Sequence, residues 1–207
     1  NQPAAAETNF QMFLAALRPL LIDNSEALVK LDHLQDSFAE VMMKNVDIMW
    51  AKKLGLKTID SELLNDLLHL MVLSKVDYTI FFRELSYIPE ELSALKRSFY
   101  QPIPEQLEEK WQSWLQLWRD RIMMSGDLKE VSEAMKQTNP SITWREWLVA
   151  PAYQKAQSGD YSRIHELQEV FSHPYNDLSP ELTAKYDQVK PSTFFNTGGV
   201  SHYSCSS

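Results

Sequence analysis

The chain has 207 residues, 44% of them apolar, and a formal net charge of -8. That length and apolar fraction suffice for one large or two small globular domains, while the acidic balance, with no lysine or arginine run, argues against a nucleic-acid partner. No stretch approaches the ~18 consecutive apolar residues that span a bilayer, and a single cysteine, Cys205, allows no internal disulfide, so a soluble protein in a reducing, cytoplasmic setting is expected.

The opening residues, NQPAAAETNF, carry neither an initiator methionine nor a leader of signal-peptide type and predict a piece of a longer chain. A first helix is expected over Phe10 to Ile22, kinked or ended near Pro19. Asp23 with Glu26 suggests a capping box for the next helix, along which Leu31, Leu34, Phe38, Val41, Met42, Val46 and Met49 fall at helical spacing on one face. Gly55 is placed to stop it. Asp60 then caps a helix whose buried stripe is Leu63, Leu64, Leu67, Leu70 and Met71. Pro89, Pro104 and Pro180, each followed by glutamate, predict three helix starts. Asp127, Thr143 and Asp160 predict caps for three further short amphipathic helices, with Gly159 as punctuation before the last. Almost nothing alternates with the period of a strand, and no fixed-period repeat marks a solenoid. The expected fold class is all-α, ending in an irregular tail after Val189.

Candidate chemistry is sparse. Trp111, Trp114 and Trp118 share a helix side with Leu107, Leu115 and Ile122; such a stripe is either an aromatic platform or, more commonly at helical spacing, core. The histidines, His33, His69, His165, His173 and His202, show no ligand spacing, and HELQE has Glu169 where a zincin needs its second histidine. The glycines do not cluster at a helix start as a phosphate cradle requires. Asp60 and Asn65 stand five apart, as the base and metal-binding asparagine of a kinase loop do, but Lys57, Thr58 and Ile59 precede them and no DFG follows. His202, three residues before Cys205, could lower its thiol pKa; the alternative is an inert thiol on a mobile end.

Several stretches together resemble the C-terminal part of the selenoprotein O family, kinase-like protein adenylyltransferases. They are NQP from Asn1, DYTIFFRELS from Asp77, NPSITWREWLVAPAY from Asn139, the pair Gly159 and Asp160, HPY from His173 and the closing CSS from Cys205. The resemblance implies late helices of a kinase-like C-lobe over 1–75, a C-terminal helical extension over 76–189 and a tail over 190–207. It implies that the nucleotide loop, its lysine and the metal-binding residues lie in a missing N-terminal kinase-like region. The parent would use ATP and magnesium to transfer AMP to hydroxyls of protein substrates. This chain would hold no catalytic, cofactor-binding or metal-binding residue and would be inactive alone, supplying scaffold and a regulatory tail. Selenocysteine in some family members at the position matching Cys205 makes that residue the redox candidate. The alternative reading is a stand-alone helical protein-interaction module.

Overall fold

The computed structural model describes residues 2–195, so His202 and Cys205 lie outside the described residues. These form nine α-helices and three short 3-10 helices, and their one extended pairing is an isolated antiparallel bridge between Val76 and Phe99. The fold class is all-α, as the periodicity predicts. The chain divides into two compact units, 1–50 and 51–207. Among the described residues no helix is long and apolar enough to cross a membrane.

In the first unit, α1 spans Gln2–Leu17, and Pro19 sits in a 3-10 helix over Arg18–Leu21. The helix therefore starts earlier than Phe10, because QPAAAET, with little apolar signal, is rich in the best helix former. The long helix α2 spans Ser25–Lys53. Its cap is Asn24 rather than Asp23: the Asn24 side chain accepts from the Ala27 amide at 3.0 Å. Leu14 and Leu31 are buried, the Phe10 and Phe38 rings stack at 4.6 Å, and Arg18 pairs with Asp32. Of the stripe expected on α2, Leu34 and Val41 are more than half exposed, at 52% and 54%.

In the second unit, α2 ends as Gly55 predicts. The Gly55 amide donates to Lys52 O and the Leu56 amide to Ala51 O, the paired bonds of a Schellman stop. Gly55 has φ +69, and a Cβ there would meet Met135 Sδ and Val131 Cγ1 at 2.7 Å, so both backbone and packing demand glycine. Helix α3, Ser61–Ser74, is capped by Asp60 as expected, and its predicted stripe is buried throughout. It packs on α5, Glu105–Met123. Between them in sequence, α4 covers Tyr78–Leu85, a helix of eight residues that periodicity alone did not reveal.

Three predicted starts need correction. No α-helix follows Pro89; a 3-10 helix over Leu92–Ser98 takes its place. Ile88 there has φ 53, and the Arg119 guanidinium donates to Ile88 O at 3.1 Å and Pro89 O at 2.8 Å, taking carbonyls that a first helical turn would use. Pro104 stands at the cap of α5 rather than inside it. Thr143 caps nothing: α7, Glu146–Gln157, begins from Arg145, whose carbonyl accepts from the Leu148 amide at 2.9 Å. The others hold: Asp127 caps α6, Leu128–Lys136, and α9 runs Pro180–Tyr186 with Pro180 in its first turn. Asp160 accepts from the amide and hydroxyl of Ser162 at the start of α8, Ser162–Ser172, although Tyr161 is the boundary residue. Helices α7, α8 and α9 close a second core around Leu148, Ala152, Leu167 and Tyr186.

Candidate functional site

The aromatic stripe is core. Trp111 and Trp118 are fully buried and Trp114 nearly so, and each indole N–H is satisfied: Trp111 on Ser74 Oγ at 2.9 Å, Trp114 on Leu63 O at 2.9 Å, Trp118 on Leu54 O at 2.8 Å. Burying indoles this way retains their large apolar area without stranding the donor. His33, His69, His165 and His173 are exposed, and among the described residues no three His, Cys, Asp or Glu side chains converge as a metal site needs. Asp60 is occupied as a cap; the Leu63 amide and then the Arg121 guanidinium hold its carboxyl below the usual range. Asn65 is exposed, so the kinase-like spacing of the two is a helix start and nothing more.

The densest polar constellation lies where sequence spacing gives no hint. Asn139, fully buried just beyond α6, accepts from Lys53 Nζ at 2.8 Å and donates to Lys53 O at 2.9 Å and Ser86 Oγ at 3.0 Å. Its own carbonyl accepts from Arg83 at 3.0 Å. Arg83, 2% exposed, also donates to Lys136 O at 3.1 Å and Tyr175 O at 3.2 Å and pairs with Asp177, whose carboxylate accepts from Tyr87 as well. The Tyr87 and Arg83 donors hold the Asp177 carboxyl below its ordinary value. The Lys53 ammonium lies 4.5 Å from the Phe82 ring centre and 5.1 Å from that of Tyr78; burial lowers its pKa to about 8.

A second clasp runs through Asp77. One carboxylate caps α4 at the Ile80 amide, receives the Arg145 fork with one contact at 2.8 Å, and accepts from Tyr100 at 3.2 Å. Burial and the Asp77 charge raise the Tyr100 pKa. Nearby, Arg97 bridges Glu84 to Asp187. Ser141 completes the set, its amide donating to Pro174 O at 2.8 Å and its hydroxyl to Asn176 O at 2.6 Å.

Chemically, these groups are consumed in holding one another. Asp77, Arg83 and Ser86 come from DYTIFFRELS, Asn139, Ser141 and Arg145 from NPSITWREWLVAPAY, and Pro174 and Tyr175 from HPY, so three of the stretches that carry the resemblance meet in these two clasps. The residues these segments bring together stand as much as 94 positions apart for Arg83 with Asp177, and 33 for Ser141 with Pro174. Helical periodicity missed them because it reads neighbours on one face, and the resemblance was the only signal that could have found them. Cys205, the redox candidate, lies outside the described residues.

The described residues thus form a helical segment organised around buried polar clasps, and comparison with known proteins gives its family. The family profile described as "Protein adenylyltransferase SelO" matches residues 1–172, and the chain belongs to that family. Among similar proteins are those named "Protein nucleotidyltransferase YdiU" from Tolumonas auensis, 31% identical over all of this chain and 40% of the relative, and from Vibrio parahaemolyticus, 33% identical over all of this chain and 41% of the relative. A protein of the same name from an Enterobacter species is 28% identical over 89% of this chain. The chain thus spans about two fifths of the length of these relatives, and the family is one of protein nucleotidyltransferases.

Proposed function

We propose that this chain is the C-terminal part of a protein nucleotidyltransferase that moves AMP from ATP to serine, threonine or tyrosine hydroxyls of protein substrates. The observation that carries the reading is the family match over 1–172, joined to the relatives' full coverage of this chain by only two fifths of their own length. The described residues do not fit a magnesium nucleotide: no carboxylates converge, and Gly55, Gly126 and Gly159 stand singly in turns rather than in a phosphate-cradling loop. On this reading ATP and magnesium belong to the kinase-like region that the resemblance places before this segment, and the chain alone is expected to be inactive. Its own residues supply rigidity, through the Arg83 and Asp77 clasps that fix α4 against the loops after α6 and α8. Cys205 is proposed as a redox group of the parent.

Calorimetry of the chain with ATP and magnesium should be flat; a saturable isotherm with Kd near about 1 μM would overturn the assignment. Sequencing the gene upstream of Asn1 should reveal a glycine-rich loop, a lysine and an Asn/Asp metal pair, and their absence would leave the stand-alone interaction module. For Cys205, rapid alkylation of the parent followed by mass spectrometry should find part of it in a disulfide. Complete recovery as the alkylated thiol would remove the redox role.

A further inference from the structure

One surface groove borders the Asp77 clasp, since Tyr100 is part of its lining. It occupies about 910 Å³ between the segment around the 3-10 helix Leu92–Ser98 and the first half of α5. Leu92, Phe99 and Leu115, buried from solvent, line its inner part with Pro102 and Ile103, while Gln101 and Gln112 offer amides that suit a peptide backbone. Its charges are one-sided: Glu90 and Glu91 on one wall and Glu108 on the other, against Lys96 alone. Glu90 has a distant partner, Arg119 at 3.8 Å, and among the described residues no lysine or arginine pairs with Glu91 or Glu108.

We propose that this groove docks an extended, basic segment of a partner protein. Charge decides the class of occupant. A phosphate-bearing ligand would meet three carboxylates in a site of raised negative potential, and a bare metal ion finds no convergent donors among the described residues. A lysine- or arginine-bearing peptide is attracted by the same field. Neighbouring side chains of an extended segment point to opposite sides, so adjacent basic residues would reach Glu90 and Glu91 on one wall and Glu108 on the other. Apolar residues between such basic pairs would cover Leu92, Phe99 and Ile103. The proposal goes beyond the nucleotidyltransferase reading and does not need it: binding is read on this chain without nucleotide, so its failure leaves AMP transfer by the parent standing, and the reverse.

The test is fluorescence anisotropy of the 207-residue chain with a labelled peptide that repeats two lysines and two valines, and with the same peptide carrying glutamate for lysine. The lysine peptide should bind saturably, with affinity falling as salt rises from about 20 to about 300 mM, and the glutamate peptide should not bind. The triple variant Glu90→Lys, Glu91→Lys, Glu108→Lys should weaken binding by about tenfold or more. The equally recharged control Asp36→Lys, Glu40→Lys, Glu169→Lys should change it less than about twofold. Glu→Gln versions of the groove triple, with thermal unfolding measured alongside, separate lost binding from lost folding. Absence of binding, or equal weakening in groove and control variants, overturns the proposal, the second outcome because it reduces the effect to the net charge of the chain.

Discussion

The indole core of α3 and α5 and the clasp around Asn139 lie in the same unit, yet they are held together differently. The core is apolar area placed at helical spacing, its three indole donors satisfied by the nearest available oxygens. The clasp is a buried network in which one asparagine and one arginine serve Lys53, Ser86, Lys136, Tyr175 and Asp177. Apolar contacts are non-directional and tolerate repacking, whereas a buried polar network is directional and costly where a member goes unpaired, as Arg83 Nε does here. The core therefore carries most of the stability, and the clasp fixes which loops meet which helix.

Breaking the core should cost most. Trp114→Ala removes a side chain 4% exposed and is expected to lower unfolding free energy by about 3–5 kcal/mol in urea titration. A loss under about 1 kcal/mol would show that the stripe is not what holds α5 on α3.

Asn139→Leu should cost less, about 2–4 kcal/mol, since it strands the Lys53 ammonium and leaves Ser86 Oγ and Lys53 O without their amide partner. The double variant Lys53→Met with Asn139→Leu sharpens the contrast: removing both polar partners should recover part of that loss. If the double variant is instead the sum of the two singles, the clasp contributes as independent bonds, and its likeness to a network fails.

The smallest effect is a pH dependence. In the folded chain burial lowers the Lys53 pKa to about 8, below the ordinary lysine value that the unfolded chain retains. Between those values the unfolded state binds the additional proton, so the Lys53 contribution to stability rises with pH. Measured from pH 8 to about pH 10, the unfolding free energy of the unmodified chain should rise relative to that of Lys53→Met. A difference that stays flat or falls would mean that Asn139 and the Phe82 and Tyr78 rings compensate the ammonium fully.

How much of this was legible in sequence follows from the range of the interactions. The all-α class, the Asp60, Asp127 and Pro180 starts, the Gly55 stop and the buried stripes of α3 and α5 rest on contacts within a few residues, where side-chain spacing and capping chemistry act directly. The family was legible too, from the resemblance stretches, three of which interlock in the clasps. The failures are of the opposite kind. Pro89 starts no helix because Arg119, thirty positions on, takes its carbonyl, and Thr143 caps nothing because α7 begins at Arg145, whose side chain is bound to Asp77. Helix α4 escaped notice because its eight residues make only about two turns, shorter than the window over which helical periodicity shows. By itself the sequence determined the local conformations, since those depend on a residue and its near neighbours. Only the tertiary structure decided which buried charges meet, because a lysine at 53, an arginine at 83 and an asparagine at 139 become partners only when loops distant in sequence have closed and water has been excluded.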